Sequence, residues 1–93
     1  MPRIDDRYTL PCGVELPNRI CKAAMTEGLA DPLNRPTEAH LRLYRRWAEG
    51  GSGLLLTGNV QVNRFHLERP GNVVLDGEPD AHTRTMLERW SAA

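Results

Sequence analysis

The apolar run Gly53-Leu54-Leu55-Leu56-Thr57 follows directly on a capped amphipathic helix, and this succession constrains the fold more than any other feature of the chain. The run is continuous rather than alternating, which is the pattern of a strand covered on both faces by helices. Upstream, Thr37 is suited to the N-cap and Glu38 to the first turn, where an acid favours the helix dipole. Leu41, Tyr44, Trp47 and Ala48 then fall at i, i+3, i+6 and i+7, so a helix is predicted over 37–49 with one apolar stripe. Arg42, Arg45, Arg46 and Glu49 fill the remaining surface, and Gly50-Gly51 ends the helix. Before it, Arg19 to Met25 leaves a Pro17-Asn18 corner as a strand whose end is made of small residues, Ala23 and Ala24. Two strands, 19–25 and 53–59, joined by such a helix are expected to lie parallel in a right-handed βαβ unit.

The flanking segments extend this pattern. Tyr8-Thr9-Leu10 and Val14-Glu15-Leu16 bracket Pro11-Cys12-Gly13, a hairpin over 8–16. Residues 28–36 are a loop, and Val60 to Asp76 is an extended excursion with a turn at Arg69-Pro70-Gly71-Asn72. Asp80 caps a second helix, 80–93, with Met86, Leu87 and Trp90 on its apolar side. The order is ββαβα. Two parallel strands leave unpaired edges carrying apolar side chains, and something must cover them. The economical expectation is a longer α/β polypeptide continuing beyond Trp90-Ser91-Ala92-Ala93, which reads as mid-helix; a self-contained small α+β domain or a swapped homo-oligomer is the alternative.

Composition narrows the function classes. Twelve basic residues balance twelve acidic ones, so neither nucleic acid nor an anionic membrane surface is an expected partner. The arginines of the first helix are accordingly its solvated face. No apolar segment is long enough for a membrane span or a signal core, and a cytoplasmic location is the expectation. Cys12 and Cys21 lack a paired motif and His40, His66 and His82 are scattered, so reduced thiols and no metal site are expected.

One stretch carries a resemblance. Leu16-Pro17-Asn18-Arg19-Ile20-Cys21-Lys22-Ala23-Ala24-Met25-Thr26-Glu27-Gly28, together with Gly50-Gly51-Ser52-Gly53-Leu54-Leu55-Leu56-Thr57-Gly58-Asn59, resembles the opening of the old yellow enzyme family, FMN-dependent NADH:flavin oxidoreductases and ene-reductases. The resemblance covers essentially the whole chain. It implies the N-terminal portion of a (β/α)8 TIM barrel, about the first quarter, incomplete in these 93 residues. It implies hydride transfer from NADH or NADPH to FMN and on to an activated alkene or other small-molecule acceptor. Active sites of such barrels lie at the C-terminal strand ends. By resemblance, Ala24 and Met25 lie against the flavin through their backbone, and Thr26 donates its hydroxyl toward the flavin carbonyl beside the reactive nitrogen. At the second strand end the contact falls to Asn59, preceded by Gly58; the family more often has a Gly or Ala there. Read without the resemblance, Ala23 and Ala24 equally suit packing beneath a helix, Thr26 a loop cap and Gly58-Asn59 a turn. Arg64 and His66 follow the second strand as loop residues. The family's paired His/His or His/Asn, its Tyr acid, its flavin-reading Gln and its phosphate loop have no counterpart here, so no catalytic residue is assigned within 1–93.

Overall fold

The computed structural model describes residues 1–93 as three two-stranded sheets and two helices, a mixed α/β arrangement. In chain order the elements are β1 (Tyr8–Thr9), β2 (Glu15–Leu16), β3 (Cys21–Lys22), α1 (Glu38–Glu49), β4 (Leu54–Leu55), β5 (Val60–Gln61), β6 (Val73–Val74) and α2 (Ala81–Ala92). β1 and β2 pair antiparallel with Tyr8 opposite Leu16, and Gly13 supplies the positive φ of +95° that their turn requires. β3 and β4 pair parallel with Cys21 opposite Leu54, and α1 is the crossover between them.

Asn18 explains why the Pro-Asn corner precedes β3. Its Oδ1 accepts from the N–H of Ile20 at 3.0 Å and of Gly53 at 2.9 Å, and its Nδ2 donates to the carbonyl of Gly51 at 2.7 Å. One side chain thus latches the starts of both parallel strands together. Gly53 has to be glycine at this latch, because a Cβ there would sit 2.7 Å from the Asn18 carbonyl oxygen.

Helix α1 begins at Thr37, whose backbone N–H donates to Nδ1 of His40 at 3.0 Å while its hydroxyl donates to the Leu29 carbonyl at 2.9 Å. In α2, Asp80 accepts from the Thr83 N–H at 2.7 Å, a side-chain cap that satisfies an otherwise orphan donor. Between the helices lies the core, Leu41 and Tyr44 of α1, Val73 of β6, and Met86 and Trp90 of α2. The Trp90 ring packs on His40 at 4.8 Å and edge-on to Tyr44 at 5.2 Å. A bidentate pair from Arg89 to Glu38 ties the helices at the surface. Neither helix is long and apolar enough to cross a membrane.

Four details depart from the pattern expectations. Ladder pairing within 19–25 and 53–59 is confined to two residues on each strand. The α1 stripe is rotated: Trp47 is half-buried and Ala48 exposed, while His40, polar and off the stripe, is the most buried residue of the helix. The run 53–57 is covered on one face only, with Leu54 37% and Leu56 47% exposed. α1 shields the Leu55 side, and no second helix lies across the other. The excursion 60–76 also acquires order, since β5 and β6 pair in parallel around a turn in which Gly71 takes φ +85° against the Gly28 backbone.

Candidate functional site

The C-terminal ends of β3 and β4 lie side by side, and a small polar cluster fixes them from the α1 side. The Gly58 N–H donates to the Tyr44 hydroxyl oxygen at 3.2 Å and to Glu27 Oε1 at 3.3 Å, while the Tyr44 O–H donates to the same carboxylate oxygen at 2.9 Å. Gly58 is buried there, and a Cβ on it would collide with the Met25 carbonyl oxygen and Glu27 Oε2. Burial pushes the Tyr44 phenol well above its ordinary value, and the adjoining Glu27 carboxylate pushes it the same way. Tyr44 therefore keeps its proton at neutral pH and donates it to Glu27.

Of the residues singled out in the sequence, Met25 and Gly58 come into direct backbone approach. Ala24 and Met25 are exposed beyond the end of β3, and Thr26 is half-buried at its foot. Asn59 is exposed, and its side chain is directed to Glu68. Lys22 points toward the helix, its ammonium 4.5 Å over the Trp47 ring, so alternation turns Cys21 and Ala23 to the open face. Arg64 is paired with Asp76 at 2.8 and 3.0 Å, a surface clasp, and His66 is exposed. Cys12 and Cys21 are free and exposed.

Two members of the cluster, Glu27 and Tyr44, were not legible as site residues. Tyr44 belongs to the helical stripe and reads as core, and only the folded crossover brings its hydroxyl to a residue fourteen positions on. Glu27 had one signal, its place immediately after Thr26 at a strand end.

Comparison with known proteins bears on what this site serves. No protein-family model matches the chain. Over 83 residues it is 40% identical to the NADH-dependent flavin oxidoreductase iliE of Hypocrea jecorina (strain QM6a), a match covering 89% of this chain and 20% of that protein. Over 86 residues it is 52% identical to iliE of Neonectria sp. (strain DH2), covering 91% of this chain and 11% of that one. The relatives are NADH-dependent flavin oxidoreductases. A third, iccE of Talaromyces variabilis, is 49% identical over 59 residues. The likeness to flavin oxidoreductases thus runs through most of the chain, which spans about a fifth or less of the length of the curated relatives it matches.

His40 makes a pH prediction independent of any cofactor. Burial pushes its imidazole below the ordinary value of 6.5, against a partial opposing pull from the Glu27 charge. The neutral ring accepts the Thr37 N–H, and a protonated ring has no lone pair to do so. The unfolded chain takes up this proton first as pH falls. Its stabilisation is therefore complete above about pH 6.5 and is lost as pH drops through the lower folded value. Thermal melts at pH 7.5 and 5.0 should show a lower midpoint at pH 5.0. His40→Gln, which keeps an acceptor but cannot titrate, should remove most of that difference; an equal difference in the variant would assign the acid loss elsewhere.

Proposed function

We propose that this chain forms the opening, flavin-facing segment of an old-yellow-enzyme-type oxidoreductase, NAD(P)H-dependent and FMN-binding, on a (β/α)8 barrel. The observation that carries the reading is the pair of parallel strand ends, held side by side, with a backbone ledge at Ala24 and Met25 left bare of large branched side chains. A planar ring can approach a backbone only where side chains are small. Ala23 and Ala24 are exposed on that ledge, and Gly58 withdraws any Cβ from beside Met25. The residues present fit a flavin edge.

In this reading Ala24 and Met25 hold the ring by backbone contact, Thr26 offers its hydroxyl, and Gly58 with Asn59 borders the second strand end. FMN bound there would supply two-electron hydride chemistry between NADH or NADPH and an activated alkene or another small-molecule acceptor. The chain itself binds and orients: the Tyr44–Glu27 cluster fixes the Gly58 backbone. The likeness to proteins named for NADH and flavin supports the cofactor pair. By itself the 93-residue chain is expected to be colourless and inactive with NADH, because the other contacts to such a ring come from other strands.

The test is a chimera in which residues 1–93 replace the matching segment of the Hypocrea jecorina relative. It should bind one flavin and oxidise NADH. Within it, Thr26→Ala should lower the flavin midpoint potential by roughly 20–45 mV, the equivalent of about 1–2 kcal/mol for one hydrogen bond favouring the electron-rich state. A folded chimera without flavin refutes the reading. A flavin-loaded Thr26→Ala variant with unchanged potential and unchanged reduction rate returns Thr26 to a loop cap.

A further inference from the structure

The ledge beyond β3 has no ladder to hold it. From Ala24 to Gly28 no N–H or carbonyl enters a backbone–backbone hydrogen bond, so position along this stretch depends on side chains and packing. Two anchors supply it. At the far end Gly28 takes φ +68° and packs on Gly71, where a Cβ would lie 2.6 Å from the Gly28 carbonyl oxygen. Nearer the strand, Glu27 is the side chain of the stretch that hydrogen-bonds to another element.

The partners of Glu27 are unusually fixed points. Tyr44 is buried at 5% exposure, with its ring edge-on to Trp47 at 5.1 Å and to Trp90 at 5.2 Å, so its hydroxyl has one place to be. It donates to Glu27 Oε1 at 2.9 Å. Gly58 donates its N–H to the same oxygen at 3.3 Å, which joins the carboxylate to the second strand end as well as to α1. Hydrogen bonds to a charged acceptor are the stronger kind. Thr26 shares a planar peptide with Glu27 and its Cα lies about 3.8 Å away, so whatever holds residue 27 confines residue 26.

We propose that Glu27 is a positioning residue: latched on Tyr44 and Gly58, it sets where the Thr26 hydroxyl stands against the flavin edge and so controls how far that hydroxyl tunes the flavin. The inference rests on the flavin reading above for what Thr26 faces. Position and charge predict opposite signs. A displaced hydroxyl lowers the flavin potential, whereas removing a negative charge beside the ring favours the electron-rich state and raises it.

The test is a mutant cycle in the flavin-loaded chimera. Glu27→Ala should lower the midpoint potential by most of the shift that Thr26→Ala produces, and should slow reduction by NADH in step. Glu27→Gln, which keeps an oxygen for Tyr44 and Gly58, should leave both near wild type. In a Thr26→Ala background, Glu27→Ala should add nothing, because no hydroxyl remains to be misplaced. Tyr44→Phe removes one donor, should shift the potential the same way as Glu27→Ala, and decides the matter if the Glu27→Ala chimera does not fold. In the 93-residue chain, Glu27→Ala should speed Gly58 amide exchange about tenfold, the equivalent of roughly one hydrogen bond. A chimera that binds no flavin, or one whose potential ignores Thr26→Ala, sinks this proposal together with that reading of Thr26. A potential that responds to Thr26→Ala but to neither Glu27→Ala nor Tyr44→Phe overturns the positioning role alone. So does full additivity of Glu27→Ala with Thr26→Ala, or a raised potential in Glu27→Gln, which would assign Glu27 to charge.

Discussion

Trp90→Ala is expected to remove most of the stability of the chain at room temperature. The indole is only 9% exposed and forms the centre of the core between the helices, on His40 at 4.8 Å and Tyr44 at 5.2 Å. Truncating a buried Trp costs about 3–5 kcal/mol through lost transfer free energy and the cavity left behind. A chain of this length has roughly 5–14 kcal/mol in all, and with only 11 of 93 residues buried it belongs near the lower end. The ring has no substitute: Leu41, Val73 and Met86 all pack into the same cluster and cannot close a hole of that size without separating α1 from α2. Urea titration followed by circular dichroism should show the midpoint collapsing for Trp90→Ala and falling much less for Trp47→Ala, whose ring is half-buried at the edge. An unchanged midpoint for Trp90→Ala would mean that the helix pair is not what stabilises the fold.

The second large effect is expected from adding a single methyl group. Gly58→Ala puts a Cβ into the Met25 carbonyl oxygen and the Glu27 carboxylate. Backbone cannot swing away as the end of a long side chain can, so the strand ends must separate, and overpacking of this kind costs about 1–3 kcal/mol. Reduced freedom of the unfolded chain returns only about 0.4–1 kcal/mol. Sterics win. The separation should also break the Gly58 hydrogen bonds to Tyr44 and Glu27, detectable as a downfield-to-random-coil shift of the Gly58 amide and faster exchange. Gly77→Ala is the matched control: a Cβ there meets nothing within 4 Å and φ is not positive, so stability should hold or rise slightly. Equal stability of Gly58→Ala and Gly77→Ala would show that β3 and β4 are not held at the spacing described.

Much of this molecule could be read from residues alone, and the reasons are local. Thr37 and Asp80 stand at helix starts, as short polar residues do, and in α2 the Asp80 side chain accepts one of the first free N–H groups, a matter of a few neighbouring residues. Gly13 and Gly51 fall where the chain must adopt positive φ, and the parallel order of β3 and β4 follows from the length of the crossover. The small residues at the strand ends were equally legible, since Ala23, Ala24 and Gly58 are small wherever they are placed. Tertiary structure decided which partners those ends acquire. His40 reads as one of three scattered histidines, yet it is buried on Trp90 from a helix fifty residues on, because an imidazole can accept the Thr37 N–H and stack at the same time. Tyr44 reads as a stripe residue, yet its hydroxyl joins Glu27 to Gly58 across two strand ends. The outer face of β4 belongs to the same category: a continuous apolar run announces burial on both sides, and only the arrangement in space reveals that Leu54 and Leu56 stay partly exposed on one of them. Local propensity acts through neighbours in the chain, whereas burial and pairing depend on surfaces that meet only after the chain has crossed back on itself.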